Sequence, residues 1–216
     1  MPGYIVLGAG KFGRLALARL GPGRFVVVDR SLRALTAARA AIPWPAMWVA
    51  ADAAQWLAAR LAYFAAWDWL IPMTPQHVAF ECLRRTALAP PRWEMAPVPA
   101  AVAGLTTWSQ GGGAGELYLS RADFVCPDDC PEPEAGCPVS GETRQPLHQE
   151  LAALRLPGWQ VHVLASRQLA PGVGGYPPGE LMKLSKDLAQ TRGRVIIATA
   201  CRCHGVVHAL ARRPGG

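Results

Sequence analysis

Tyr4-Ile5-Val6-Leu7-Gly8-Ala9-Gly10-Lys11-Phe12-Gly13-Arg14 decides how the first half of the chain is read. Four apolar residues make a short β run, and a glycine-spaced turn follows at once. Arg14 to Leu20 then has helical composition, with Leu17 and Leu20 one turn apart. Gly21-Pro22-Gly23 stops the helix, and Arg24-Phe25-Val26-Val27-Val28-Asp29 reads as a second strand ending in an acid. The pattern is G-x-G-x-x-G between strand and helix, with the acid nineteen residues after Gly10. Gly8 makes the tight turn. Gly10 lets backbone approach a pyrophosphate on the helix N-terminus, with Lys11 and Phe12 beside it. Gly13 lets helix and strand pack closely. Asp29 suits a ribose diol and repels a 2′-phosphate, which favours NAD(H) over NADP, while Arg30 beside it works against that choice.

Working outward, the alternation continues. Trp48-Val49-Ala50 reads as a third strand, with a helix from Ala53 to Ala66 after Asp52. Asp68-Trp69-Leu70-Ile71 reads as a fourth strand, closed by Pro72-Met73-Thr74-Pro75, and His77 to Arg85 as a helix. Strands alternating with helices predict an α/β fold with a Rossmann-like parallel sheet. Thr74, at the tip of the fourth strand, joins the candidate cofactor-binding residues. Five tryptophans, Trp44, Trp48, Trp56, Trp67 and Trp69, crowd the 44–69 region. The 53–66 helix is apolar on two stripes, which fits core packing first and a homodimer face second.

Residues 4–87 resemble the NAD-binding domain of Trk-type potassium-uptake regulators, the RCK or KTN domain. The resemblance lies in Ile5 to Arg14, in Val27-Val28-Asp29, and in Ala51-Asp52-Ala53 followed by a helix. It implies a dinucleotide-binding Rossmann domain, with Asp52 near the adenosine end, and a link to regulation of potassium transport. Ala51 departs from it, because the family normally has Gly there. A precorrin-2-dehydrogenase-like domain of the siroheme pathway is a related alternative. The Cys-rich second half lies outside the resemblance.

The chain divides into a dinucleotide-binding portion at 1–89, a Pro/Gly-rich connector at 90–115 and a smaller Cys-rich α/β portion at 116–216. In the connector, Val102 to Trp108 reads as a strand and Gly111 to Gly115 as a turn. Beyond it, 116–119 and 123–125 read as strand material, 146–154 as helix, 159–164 as strand, 180–190 as helix and 195–198 as strand. Cys201 to Leu210 reads as a last helix.

Cys126-x3-Cys130-x6-Cys137 and Cys201-x-Cys203-His204 put five thiols and an imidazole on two loops, 64 positions apart from Cys137 to Cys201. Soft thiolates suit an iron–sulfur cluster or zinc, though neither spacing is that of a ferredoxin or a zinc finger. Unmetallated thiol chemistry is the remaining reading. Pro follows three of these cysteines and stiffens the loop. Cys82, in a helix of the first half, reads as a buried small hydrophobe. His77, His148, His162 and His208 read as isolated structural residues. Ser166 to Tyr176 is a glycine-rich loop that either places Arg167 and backbone amides near an anion or cluster or simply turns at the surface.

Of 216 residues, 51% are hydrophobic and 17% charged, so a packed core is expected and wholesale disorder is excluded. Lys plus Arg is 22 against 15 Asp plus Glu, giving +7, but only Lys11, Lys183 and Lys186 are lysines and the cations are scattered. That scatter argues against nucleic acid. No apolar run is long enough to span a membrane. The opening Met1-Pro2-Gly3 lacks a basic leader, so a cytoplasmic protein is expected, and there six cysteines favour metal or redox chemistry over disulfides. Two functions follow. In one, NADH passes electrons to the metal centre, making an oxidoreductase. In the other, nucleotide and metal jointly set a conformation, making a nucleotide-sensing regulator. A Rossmann scaffold clipped by structural zinc is the third class.

Overall fold

Ile5 and Leu7 point to one face of the first sheet and Val6 to the other, and each finds its own apolar layer. The computed structural model describes residues 1–213. The chain is an α/β protein. Its first sheet holds β1 (Gly3–Leu7), β2 (Arg24–Asp29), β3 (Ala46–Ala50) and β4 (Trp69–Pro72), all parallel in the order β3-β2-β1-β4. Helices α1 (Lys11–Arg19), α2 (Leu32–Arg39) and α3 (Ala53–Phe64) connect these strands, and α4 (Val78–Arg84) follows β4. The near-continuous burial of β1 and β2 is what a parallel sheet covered on both faces requires. Ser31 and Asp52 start α2 and α3 by accepting the backbone N–H of Ala34 at 3.1 Å and of Gln55 at 2.7 Å.

The second sheet is mixed. β6 (Trp108–Gly113), β7 (Glu116–Ser120), β12 (His204–Arg212), β11 (Arg194–Ala200) and β8 (Trp159–Ala165) lie in that order, and β5 (Trp93–Met95) also pairs with β12. Only β11 and β8 are parallel. The stretch read as a connector thus supplies β5 and β6, with the short helix α5 (Ala100–Ala103) between them. The predicted strand over 102–108 is therefore corrected: Val102 sits in α5 and is fully buried, and pairing begins only at Trp108. Residues 123–125 are not a strand.

A larger correction concerns the C-terminus. The stretch read as a last helix is β12, a central strand flanked by β11 and β7. Ala209 and Leu210 suit a helix in isolation, but the ladder on both sides and burial of Val207 to Leu210 override that preference.

Two layers cover this sheet. Helix α6 (Leu147–Ala153) and α5 pack Leu147, Leu151 and Val102 against Ile196, Ala198, Val207 and Ala209. On the other face α7 (Pro178–Gln190) buries Leu181, Leu184 and Leu188, one stripe of an amphipathic helix. That stripe belongs to the same apolar layer as Ile5, Leu57, Leu61, Phe64 and Leu83, so one core lies between the two sheets. Each such side chain contributes about 1.5–3 kcal/mol on burial. Backbone joins the sheets as well. Leu70 N–H donates to Tyr176 O at 2.8 Å, and Tyr176 N–H donates to Leu70 O at 3.0 Å. The residues just before Tyr176 form a hairpin of β9 (Arg167–Ala170) and β10 (Val173–Gly175). No helix among the described residues is long and apolar enough to cross a membrane.

Candidate metal centre beside the glycine loop

The hairpin turn from β11 to β12 creates half of the site. Ala200 pairs with Gly205, and Cys201 N–H donates to His204 O at 2.9 Å, so Cys201-Arg202-Cys203-His204 caps the two most buried strands. Both Cys203 N–H and His204 N–H point at Cys201 Sγ, each at 3.4 Å. Such donors favour a thiolate over a thiol. The other half is the loop after β7. Gln168 Nε2 donates to Cys130 O at 2.7 Å, and Gly172 N–H to the same oxygen at 3.1 Å. Gly172 has φ +69°, and a Cβ there would stand 1.9 Å from Asp128 O. The glycine-rich 166–176 stretch is thus a hairpin that cradles the Cys loop. Its Arg167 instead pairs with Glu180.

The two loops meet. Cys126, Cys130, Cys137, Cys201, Cys203 and His204 all line one cavity of about 360 Å³. Cys126 Sγ lies 3.6 Å from His204 Nε2. One member escaped the sequence reading. Glu132, between two prolines, offers a carboxylate oxygen that lies with the Cys201 and His204 donor atoms within 4.8 Å of one another. It is the only non-glycine residue of the described chain with positive φ, +43°. An acid held in that disfavoured region between ligand-type cysteines is the signal that sequence alone does not display.

Electrostatics divide the thiols. Backbone N–H donation from Ser140 lowers the Cys137 pKa. Burial raises Cys126 and, more strongly, Cys201. Burial, aided by the Glu132 charge, pushes Cys203 up to about 11. Burial also lowers the His204 imidazole, leaving it neutral and able to donate a lone pair near neutral pH. A cation entering here displaces protons from the raised thiols. All six cysteines are free, and Cys82, fully buried in the core, is pushed by burial up to about 12.

The glycine loop adjoins this cavity. A Cβ on Gly13 would stand 2.0 Å from Gly8 O, so close packing demands glycine there. Gly10 has open space around it. Lys11 forms an ion pair with Asp128 of the Cys loop and stacks its ammonium over Phe12 at 5.0 Å. Arg19 donates to Asp128 O at 3.1 Å and also to Pro171 O. Asp29 accepts Ala9 N–H and Ser31 N–H, each at 2.7 Å, one on each carboxylate oxygen. Arg30 pairs with Asp52, whose other oxygen caps α3. Pro72 and Met73, where β4 ends, line the cavity, and Met73 O also backs Gly8.

A second pocket of about 310 Å³ shares Cys201 and His204 with the first and is lined also by Thr74, His77, Tyr176 and Thr199. Thr74 Oγ1 and Tyr176 OH are buried there without a hydrogen-bond partner among the described residues. His77 and His208 are not isolated, as the sequence suggested. Their Nδ1 atoms are 2.9 Å apart, His77 Nε2 meets Thr199 Oγ1 at 2.9 Å, and Phe80 stacks on His208 at 3.7 Å. Burial lowers His77 well below the usual imidazole range and takes His208 to about 4.

The fold and site define an α/β protein whose mixed sheet ends in a thiol-lined cavity. The chain matches the AF_1314_C family, "Uncharacterized protein, C-terminal domain", over residues 53–213, and it belongs to that family. The matched segment contains every thiol-loop donor and leaves out the glycine loop. A relative described as "Uncharacterized protein", from Archaeoglobus fulgidus, is 36% identical over 147 residues. The match covers 67% of this chain and 66%, just under two thirds, of that relative. No solved structure matches the chain.

Proposed function

We propose that this protein holds a metal ion on the convergent Cys/His loops and works beside a dinucleotide-binding glycine loop. One observation carries the reading: six donors on two loops far apart in sequence, joined by Glu132, line one cavity. The spacing suits zinc. Zinc bonds of ~2.3 Å to sulfur and ~2.0–2.1 Å to nitrogen, at the tetrahedral angle, separate the donors by about 3.6 Å. The Cys126 Sγ to His204 Nε2 separation is 3.6 Å. Cys126, Cys201, His204 and Glu132 are therefore the first-choice ligand set. A metal bound there supplies Lewis-acid chemistry, or electrons if it is iron.

An iron–sulfur cluster is the second reading, favoured by five thiols where a closed zinc site uses at most four, and by a cavity larger than one ion needs. It would make the protein an NADH-linked oxidoreductase. Dinucleotide binding is supported by the β3-β2-β1-β4 order, the Gly8–Gly13 contact, the open space at Gly10 and the resemblance to Trk-type regulators. The engagement of both Asp29 oxygens by backbone favours a scaffold or regulator role for this half over tight ribose recognition.

The test is purification of the full chain without oxygen, with metal analysis and a visible spectrum. One equivalent of zinc and no visible absorption supports the first reading. Iron with sulfide absorption supports the second. Absence of metal after growth and refolding with either overturns both.

A further inference from the structure

Arg121 poses a problem that the metal site does not solve. Its side chain is only 9% exposed, and it lines the thiol cavity. One terminal nitrogen pairs with Glu150 of α6, but its Nε is buried with no acceptor among the described residues. A buried donor left unpaired costs roughly 1–3 kcal/mol, and more on a charged group. The residue is held firmly. Its N–H donates to Cys203 O at 3.0 Å, and its own carbonyl accepts Arg144 Nη1 at 2.8 Å. Arg202, in the turn between Cys201 and Cys203, lines the same cavity, and its guanidinium has no ion-pair partner among the described residues. Arg144, the third cation of that wall, is neutralised by Glu142. The cavity thus has thiols, His204 and Glu132 as one set of donors, and two under-used guanidinium groups as another.

We infer that the cavity takes a small oxyanion, a carboxylate or a phosphate-like group, against Arg121 and Arg202 beside the metal donors. Guanidinium forks match these anions in geometry and charge. The cavity's 360 Å³ is room for roughly ten waters at ~30 Å³ each, far more than one ion fills. A metal site that keeps an open position beside an anion-holding wall is arranged to polarise a bound substrate rather than to clip the fold. This inference rests on the cavity being the working site proposed above, and the experiment separates the two.

The full chain, as isolated, is titrated with sodium phosphate and, separately, sodium acetate. Ionic strength is held constant with sodium chloride, and the melting temperature and calorimetric heat are followed. One of the two anions should bind saturably where chloride does not, and the responding anion names the substrate class. Arg202→Gln, which removes no described ion pair, should weaken that binding about tenfold or more with metal content unchanged. Arg121→Gln should do the same, and Arg202→Gln keeps the test valid if the Glu150 pairing makes Arg121→Gln unstable. Neither anion surpassing chloride, or equal binding in Arg202→Gln, overturns the inference. Anion binding lost in Arg202→Gln from a protein that never takes up metal keeps the anion site and removes the metal.

Discussion

Lys11 in the glycine loop and Asp128 between two cysteines form an ion pair, 117 positions apart in sequence. The thiol loop is therefore fastened to the residue that a pyrophosphate would be expected to approach. Both side chains are largely solvated, so the pair itself contributes at most about 1 kcal/mol. Asp128→Asn should leave the melting temperature almost unchanged and should tighten NADH binding several-fold, because Lys11 is released. Fluorescence titration with NADH checks this. An unchanged or weaker affinity would show that Lys11 does not serve the nucleotide.

The glycine loop separates stability from ligand binding. Gly13→Ala drives a Cβ into Gly8 O and should cost about 1–3 kcal/mol or more. Gly10→Ala meets nothing within 4 Å and should cost little. Urea denaturation of both variants beside NADH titration gives the comparison. Equal losses of stability would contradict the packing described.

The buried His77–His208 pair predicts a pH dependence. Both imidazoles are held neutral, with folded pKa values below the ordinary 6.5. The unfolded chain then binds more protons in the interval below 6.5, so the stabilisation is complete above that value and is lost as pH falls toward 4. For His208, at about 4, unfolding free energy should drop by about 2 kcal/mol between pH 7 and pH 5. Urea denaturation at the two pH values measures it, and the drop should shrink in His208→Gln.

The cysteines should react in a fixed order. Backbone donation lowers Cys137, while burial lifts Cys203 to about 11 and Cys82 to about 12. In chelator-treated protein, iodoacetamide should label Cys137 first and Cys82 only on unfolding. Peptide mass spectrometry resolves the order. Cys201→Ser should abolish metal retention, whereas Cys82→Ser should keep the metal and destabilise the core by about 1–3 kcal/mol.

The first sheet was legible in the sequence because its signals are local. Tyr4 to Gly13 and Arg24 to Asp29 carry strand, turn and helix within a few residues, and burial on both faces makes β1 and β2 plainly apolar. The donors were legible too, because cysteines in two spaced groups need no partner to be recognised. What combines them was not. His204 to Leu210 has a composition that suits a helix, and only β11 and β7 on either side make it a strand. Glu132 looks like any acid in a turn until its backbone is seen to fold it toward Cys201. Arg121 gave no signal at all, since its burial depends on Glu150, 29 positions away. His77 and His208, 131 positions apart, met for the same reason.

The reciprocal bonds between Leu70 and Tyr176 forbid an attractive shortcut. Severing the chain near residue 90 would bare the free edge of β4 and strip α7 from the greasy side of α3. Each fragment would then present a sticky border to its neighbours. Anyone wishing to study nucleotide and thiol chemistry apart should silence one by point substitution and leave the polypeptide whole.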